Sequence, residues 1–99
     1  MIEYCLNDTL CESRLKDFES FDWIVHNYKI GDWCGDGCAA ALKDSILYIY
    51  NLGHCSCYGP FEFGYFDSFS IQEFLYSEDI FTGIINDDKV RNKVMELVK

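Results

Sequence analysis

The chain of 99 residues is poor in proline, in basic residues and in long apolar runs. It holds one proline and only eight Lys and Arg residues, against 17 Asp and Glu residues. No run approaches the roughly 20 apolar residues that a membrane-spanning helix needs. The first residues also lack the basic and apolar regions of a secretory signal. We therefore expect a cytoplasmic protein that does not enter a membrane.

Basic residues are missing altogether from one long span of the chain. No Lys or Arg lies between Asp44 and Asp88, whereas the span contains these carboxylates: Asp44, Glu62, Asp67, Glu73, Glu78, Asp79, Asp87 and Asp88. The formal net charge of the whole chain is −9. This balance argues against direct binding to nucleic acid or to an anionic membrane, because both need basic patches. A field of this sign instead attracts a basic partner.

The motifs of several enzyme classes are absent as well. The chain has no phosphate-binding loop, no dinucleotide-binding fingerprint and no H-E-x-x-H zinc motif. Its aspartates do not have the spacing of a calcium-binding loop. The sequence therefore predicts a protein that is not an enzyme.

Apolar residues are plentiful. Hydrophobic residues make up 49% of the chain and aromatic residues 17%. This is enough to bury a dense core within one domain over residues 1–99. The pattern predicts a helix over about residues 10–19, which begins at a capping box of Thr9 and Glu12.

Strands are expected over residues 21–30, 38–43 and 46–50, and residues 61–65 fit either a short fourth strand or an extended lead-in. Asp44-Ser45 fits a two-residue turn between the second and third strands. The strand at 21–30 is partly apolar on both faces, which predicts that it is covered on both sides.

Two short helices are expected after the strands. Ser70 and Glu73 have the spacing of a capping box before a helix over about residues 71–76. Asn86 is predicted to cap a last helix, whose buried stripe consists of Val90, Val94, Leu97 and Val98. The predicted fold is α+β: a small antiparallel β-meander of three to four strands, with one helix before it and two after. All three helices are expected to pack on one face of the sheet.

The cysteines can be placed on the predicted hairpin. A turn at Asp44-Ser45 puts Cys34 opposite Cys55 and Cys38 opposite Asn51. Three interpretations remain open. The cysteines are buried thiols beside a tight turn, which we favour, or a catalytic thiol or redox disulfide. Alternatively they form a structural zinc site, the one cofactor that the sequence permits, with these ligands: Cys34, Cys38, Cys55 and Cys57.

The segment at residues 52–60 reads L-G-H-C-S-C-Y-G-P. Together with the tryptophan-containing strand at 23–28 and the glycine-rich turn at 35–37, it resembles a group of small, mostly phage-encoded proteins that share this segment. The resemblance covers roughly residues 22–62. It implies a phage origin and brings no activity with it. In that group the positions of Cys34 and Cys38 are not typically cysteine, which weakens the interpretation as a four-cysteine zinc site.

These observations predict a small acidic phage-type inhibitor of a host protein with a basic surface. A nucleic-acid-handling enzyme of a restriction or CRISPR system is the expected target, bound by mimicry of nucleic acid. The predicted contacts are Glu62, Asp67, Glu73, Glu78, Asp79, Asp87 and Asp88. Two alternatives remain: these carboxylates form only a solvated face, or the protein is a zinc- or thiol-stabilised adaptor module without catalytic activity.

Overall fold

The computed structural model describes residues 1–8, 15–30, 34–52, 54–55, 66–76, 85 and 87–98. In this part of the chain one sheet contains six strands: β1 (Ile2–Cys5), β2 (Trp23–Ile30), β3 (Cys34–Lys43), β4 (Ile46–Asn51), β5 (His54–Cys55) and β6 (Phe66–Ser70). The described helices are α1 (Ile71–Tyr76), α2 (Asp88–Val98) and a 3-10 turn at Lys16–Phe18. The fold is therefore α+β, as predicted.

Strands β2, β3 and β4 form an antiparallel meander, and β6 continues it along β4. The turn at Asp44-Ser45 has φ angles of 52° and 65°, the left-handed region that a type I′ hairpin turn needs at both central residues. Cys38 lies opposite Asn51, and the same register continues to Cys34 opposite Cys55. The predicted turn and hairpin register are confirmed.

The sheet differs from the prediction in strand direction and number. β1 pairs with β2 in parallel, with Ile2 opposite Trp23, so the sheet is mixed rather than antiparallel. With β1 and β5 included it has six strands, not three to four. A strand of four residues has too short a pattern to stand out, and its parallel pairing depends on a partner far along the chain.

The sheet is covered on both faces. On one face, Phe74 of α1 and Val90 and Val94 of α2 pack against Val25 and Leu47. The prediction that β2 is covered on both sides is confirmed.

The opposite face packs against the 3-10 turn. Phe18 lies there with Ile24 and Tyr28, so the prediction that all helices lie on one face was wrong. Only residues 15–19 of the helix predicted over 10–19 are described, and they contain the 3-10 turn at Lys16–Phe18. Thr9, like the fourth strand or lead-in predicted over 61–65, lies outside the described residues.

The helix starts were predicted to different accuracy. The Ser70 Oγ accepts a hydrogen bond from the Glu73 amide at 3.1 Å, and α1 has the predicted bounds. At the start of α2 the cap is Asp87, one residue after the predicted Asn86, which is outside the described residues. The Asp87 Oδ1 accepts hydrogen bonds from the amides of Lys89 at 2.9 Å and Val90 at 3.1 Å. A carboxylate there also complements the positive end of the helix dipole. Among the described residues, no helix has the length and apolar character to cross a bilayer.

Candidate functional site

A cleft of about 820 Å³ opens where the sheet meets the first turn of α2. Its described lining comes from β2, β3, β4, β6 and the start of α2, and it includes four carboxylates: Asp36, Asp67, Asp87 and Asp88. Lys89 is the one cationic side chain among these described lining residues. We name this group of residues the acidic cleft. Like charges around a concave surface reinforce each other, so the cleft has a negative potential.

The sheet register brings Asp36 and Asp67 to this site. Asp67 lies opposite Ile49 in the pairing of β4 with β6, on the face that carries α2. Asp36 lies two residues before Cys38 on β3, so it shares that face by the two-residue period of a strand. Its Oδ1 accepts a hydrogen bond from the Gly37 amide at 2.9 Å. Asp36 and Asp67 are both exposed, and neither forms an ion pair with a described residue. Their charges are therefore available to a partner.

Within the acidic cleft, Asp87 stabilises the fold. Besides capping α2, it accepts a hydrogen bond at 2.8 Å through Oδ2 from the Asn27 Nδ2. This carboxylate therefore connects the start of α2 to β2 and is half-buried. It places α2 so that the neighbouring Asp88 projects at the rim.

Asp88 and Lys89 stand at that rim. The Asp88 side chain is 79% exposed and pairs with the Arg91 guanidinium, which also donates to the Ile85 carbonyl at 3.2 Å. The Arg91 partner offsets part of the Asp88 charge. Because the Asp88 side chain is largely exposed, solvent screens its charge and the carboxylate stays accessible.

The predicted contact residues divide into three groups. Asp67, Asp87 and Asp88 come together in the acidic cleft. Glu73 does not line it: it lies in the first turn of α1, where its Oε1 accepts a hydrogen bond from the Ser70 hydroxyl at 3.4 Å. The other three predicted contacts are outside the described residues: Glu62, Glu78 and Asp79.

Asp36 lines the acidic cleft but was not among the predicted contact residues. This residue precedes the span without Lys or Arg, and it stood within a turn in the sequence interpretation. The signal that could have found it was the hairpin register itself. Continued outward past Cys38, that register makes residues 35–37 part of β3 rather than a loop.

Cys38 lies at the base of the acidic cleft and is 5% exposed. Burial, and after it the charge of Asp87, raises the pKa of this thiol from 9.0 to about 12. The thiol therefore stays neutral near pH 7. Nucleophilic attack needs the thiolate, so the buried, neutral Cys38 serves as a small apolar group there.

Cys38 lies too far from Cys34 for both residues to bind one zinc ion. Cys34 lies opposite Cys55, but Cys38 is four residues further along the unbroken strand β3. At roughly 3.4 Å per residue that separates Cys38 from Cys34 by about 14 Å, too far for one tetrahedral site. Cys57 is outside the described residues. Within the part of the chain that the structure describes, no group of three or more potential ligands could hold a metal.

His26 lies on the opposite face of the sheet from the acidic cleft, with Ile24 and Tyr28. It is fully buried, and its Nε2 is 2.6 Å from the Glu3 Oε2. Its Nδ1 has no hydrogen-bond partner among the described residues. This pair joins the edge strand β1 to β2, and we assign it to the structure of the sheet.

The capping role of Asp87 leads to a prediction. Asp87→Ala removes two capping bonds and the bond to Asn27, so we expect the free energy of unfolding to fall by about 2 kcal/mol. Asp88→Ala, one residue on, removes only an ion pair whose carboxylate is exposed, and it should change the free energy of unfolding by about 0.5 kcal/mol or less. Urea titrations followed by circular dichroism measure both. Equal losses in the two variants would contradict the assignment of Asp87 as the cap.

The raised pKa of Cys38 predicts how stability depends on pH. The unfolded chain releases this thiol proton from about pH 9.0, whereas the folded chain holds it to about pH 12. The unfolded state therefore gains free energy of ionisation first, and stability present below pH 9 is lost as pH rises toward 12. Burial also raises the pKa of Tyr50, which acts in the same direction. Urea titrations at several pH values should therefore show a steeper decline in the parent protein than in Cys38→Ala. Parallel declines would show that this thiol titrates normally.

Comparison of the chain with protein-family models, with curated proteins and with solved structures found no match.

Proposed function

We propose that the protein binds and inhibits a host protein with a basic surface, and that the acidic cleft is its binding site. The supporting observation is that carboxylates from three separate elements, Asp36 of β3, Asp67 of β6 and Asp88 of α2, line one concave surface. Charges spread over a convex face would be individually solvated. In a cleft the low-dielectric walls focus their field on whatever enters.

The lining indicates which groups of a partner would fit. Carboxylates bind Arg and Lys through charge-assisted hydrogen bonds, and Arg in addition through paired, planar contacts. At the base lie the buried apolar side chains of Cys38 and Ile49. A volume of about 820 Å³ accommodates several basic side chains. We therefore infer that the partner inserts a loop or helix that carries Arg and Lys.

A nucleic-acid-handling enzyme presents basic residues of this kind in the groove where it holds phosphates. Occupation of that groove by the acidic cleft would exclude the nucleic acid, which is inhibition by mimicry. We propose a restriction or CRISPR nuclease as the type of target and a phage as the origin of the protein. The net charge of −9 would speed the encounter with such an enzyme.

The test is capture of a partner from a bacterial lysate on the immobilised protein, followed by assay of the purified partner. We expect a basic nucleic-acid enzyme whose binding weakens as salt rises and whose activity falls when the protein is added. Capture of no basic protein, or of a partner whose binding and activity do not respond to salt and to the added protein, would contradict the proposal.

A further inference from the structure

The pairing of β3 with β5 places two cysteine positions directly opposite each other. Cys34 faces Cys55, and Gly35 faces His54. The same register joins Cys38 to Asn51 in the hairpin of β3 and β4, so the two ladders are continuous. The opposition of the two cysteines therefore follows from the hairpin as a whole and not from a local contact.

One backbone hydrogen bond shows whether positions 34 and 55 form a hydrogen-bonded or a non-hydrogen-bonded pair of the antiparallel ladder. The Leu52 amide donates to the Gly37 carbonyl at 3.0 Å, so the pair of residues 37 and 52 is a hydrogen-bonded pair. Such pairs alternate with non-hydrogen-bonded ones along an antiparallel ladder. Two steps further, residues 35 and 54 are hydrogen-bonded, and positions 34 and 55 form a non-hydrogen-bonded pair.

Non-hydrogen-bonded pairs are the close ones in an antiparallel ladder, with Cα atoms about 4.5 Å apart. Disulfides span Cα separations of about 4.4–6.8 Å. The backbone placement of Cys34 and Cys55 thus meets the requirement of a cross-strand disulfide without movement of either strand. Cys38 occupies the same kind of pair but has Asn51 opposite it, so it lacks a thiol partner at its own position.

We propose that Cys34 and Cys55 form a reversible disulfide in response to oxidised glutathione. One thiolate attacks the glutathione disulfide, forms a mixed disulfide and releases one glutathione thiolate. The second cysteine thiolate then attacks the mixed disulfide, forms the Cys34–Cys55 bond and releases the second glutathione thiolate. The two thiol protons go to solvent or to the released glutathione, and the protein loses two hydrogen atoms. This inference does not depend on the proposed function.

The disulfide would tie β5 to β3 two residues from Asp36. Without it, β5 is a pairing of only two residues, which is a weak attachment for the chain that follows β4. A covalent bond there would stabilise the end of the hairpin that forms one side of the acidic cleft. The site is therefore a modification site for thiol oxidation.

The test is peptide mapping of the protein after equilibration in glutathione buffers of increasing oxidised fraction, with free thiols blocked by alkylation. We expect a peptide pair joined through Cys34 and Cys55, two hydrogens lighter than the reduced pair and separated again by dithiothreitol. The melting temperature should rise by about 5 °C or more on oxidation. Cys57→Ser should retain both changes, and Cys34→Ser should lose both.

Three outcomes would overturn the proposal: a bond between Cys55 and Cys57, glutathione adducts without an internal bond, or free thiols at all oxidised fractions. Mapping of the parent protein decides between them, even if a variant fails to fold.

Discussion

Replacement of Gly37 by alanine is expected to cost about 2–4 kcal/mol of folding free energy. A Cβ atom at this position would lie 2.2 Å from the Asn27 carbonyl oxygen and 2.9 Å from the Tyr28 Cα. Both are backbone atoms of the neighbouring strand β2, which is held on its other side by backbone hydrogen bonds from the amides of Leu6 and Asp8. The φ angle of Gly37, 155°, adds strain for any other residue. A loss of this size is a large part of the roughly 5–15 kcal/mol that holds a small domain folded.

Urea titrations of Gly37→Ala and of a matched control, Ser68→Ala, would measure the effect. Ser68 is an exposed strand residue on β6, so its replacement should change stability by about 0.5 kcal/mol or less. A loss below about 1 kcal/mol in Gly37→Ala would show that β2 and β3 separate easily at this point. The close approach of their backbones would then not be a constraint of the native sheet.

Charge reversal in the acidic cleft, with Asp36→Lys and Asp67→Lys combined, is expected to weaken binding of the proposed basic partner by about 100-fold or more. Close charge pairs at interfaces are worth on the order of 1.5–7 kcal/mol, and here attraction becomes repulsion. Both residues are exposed, so the folded protein should tolerate the change with little loss of stability.

The control variant changes the net charge of the protein by the same amount, at residues outside the acidic cleft. Glu19→Lys and Glu96→Lys alter two exposed carboxylates that do not line the acidic cleft. If the cleft is the binding site, this variant should weaken binding much less than the cleft variant at physiological salt. Titration calorimetry with the captured partner gives both values. Equal losses would mean that only the total charge matters, which corresponds to a solvated acidic face.

The hairpin was the part of the fold that sequence reasoning predicted best. A two-residue turn leaves only one register for its flanking strands, so Asp44-Ser45 determined every pair out to Cys34 and Cys55. Helix α1 was equally accessible, because Ser70 and Glu73 are a local signal.

Features that depend on distant partners were not accessible in this way. The parallel pairing of β1 places Ile2 opposite Trp23. The four residues of β1 contain no local sequence signal that predicts this partner. The 3-10 turn lies on the second face of the sheet because Phe18 packs there against Ile24 and Tyr28. These contacts are likewise not visible in the local sequence.

The candidate site was predicted in part for the same reason. Absence of Lys and Arg indicated where charge would accumulate, but not which carboxylates converge. Asp67 and Asp88 were included and lie in the acidic cleft. Asp36 was omitted and Glu73 was included although it lies elsewhere, because convergence is a property of the sheet register and of helix placement.

The unbroken register around Asp44-Ser45 also has a consequence for the order of folding. Pairs close to the turn join residues near in sequence and lose little loop-closure entropy, so the hairpin can close outward from the turn like a zipper. We expect substitutions at Leu47, beside the turn, to slow folding, and substitutions at Leu52 to speed unfolding instead. Stopped-flow kinetics of Leu47→Ala and Leu52→Ala would measure this, and equal φ-values would contradict it. In that sequence of events the segment with Asp36 and Cys34 pairs late, so the protein acquires its acidic cleft only when the sheet is nearly complete.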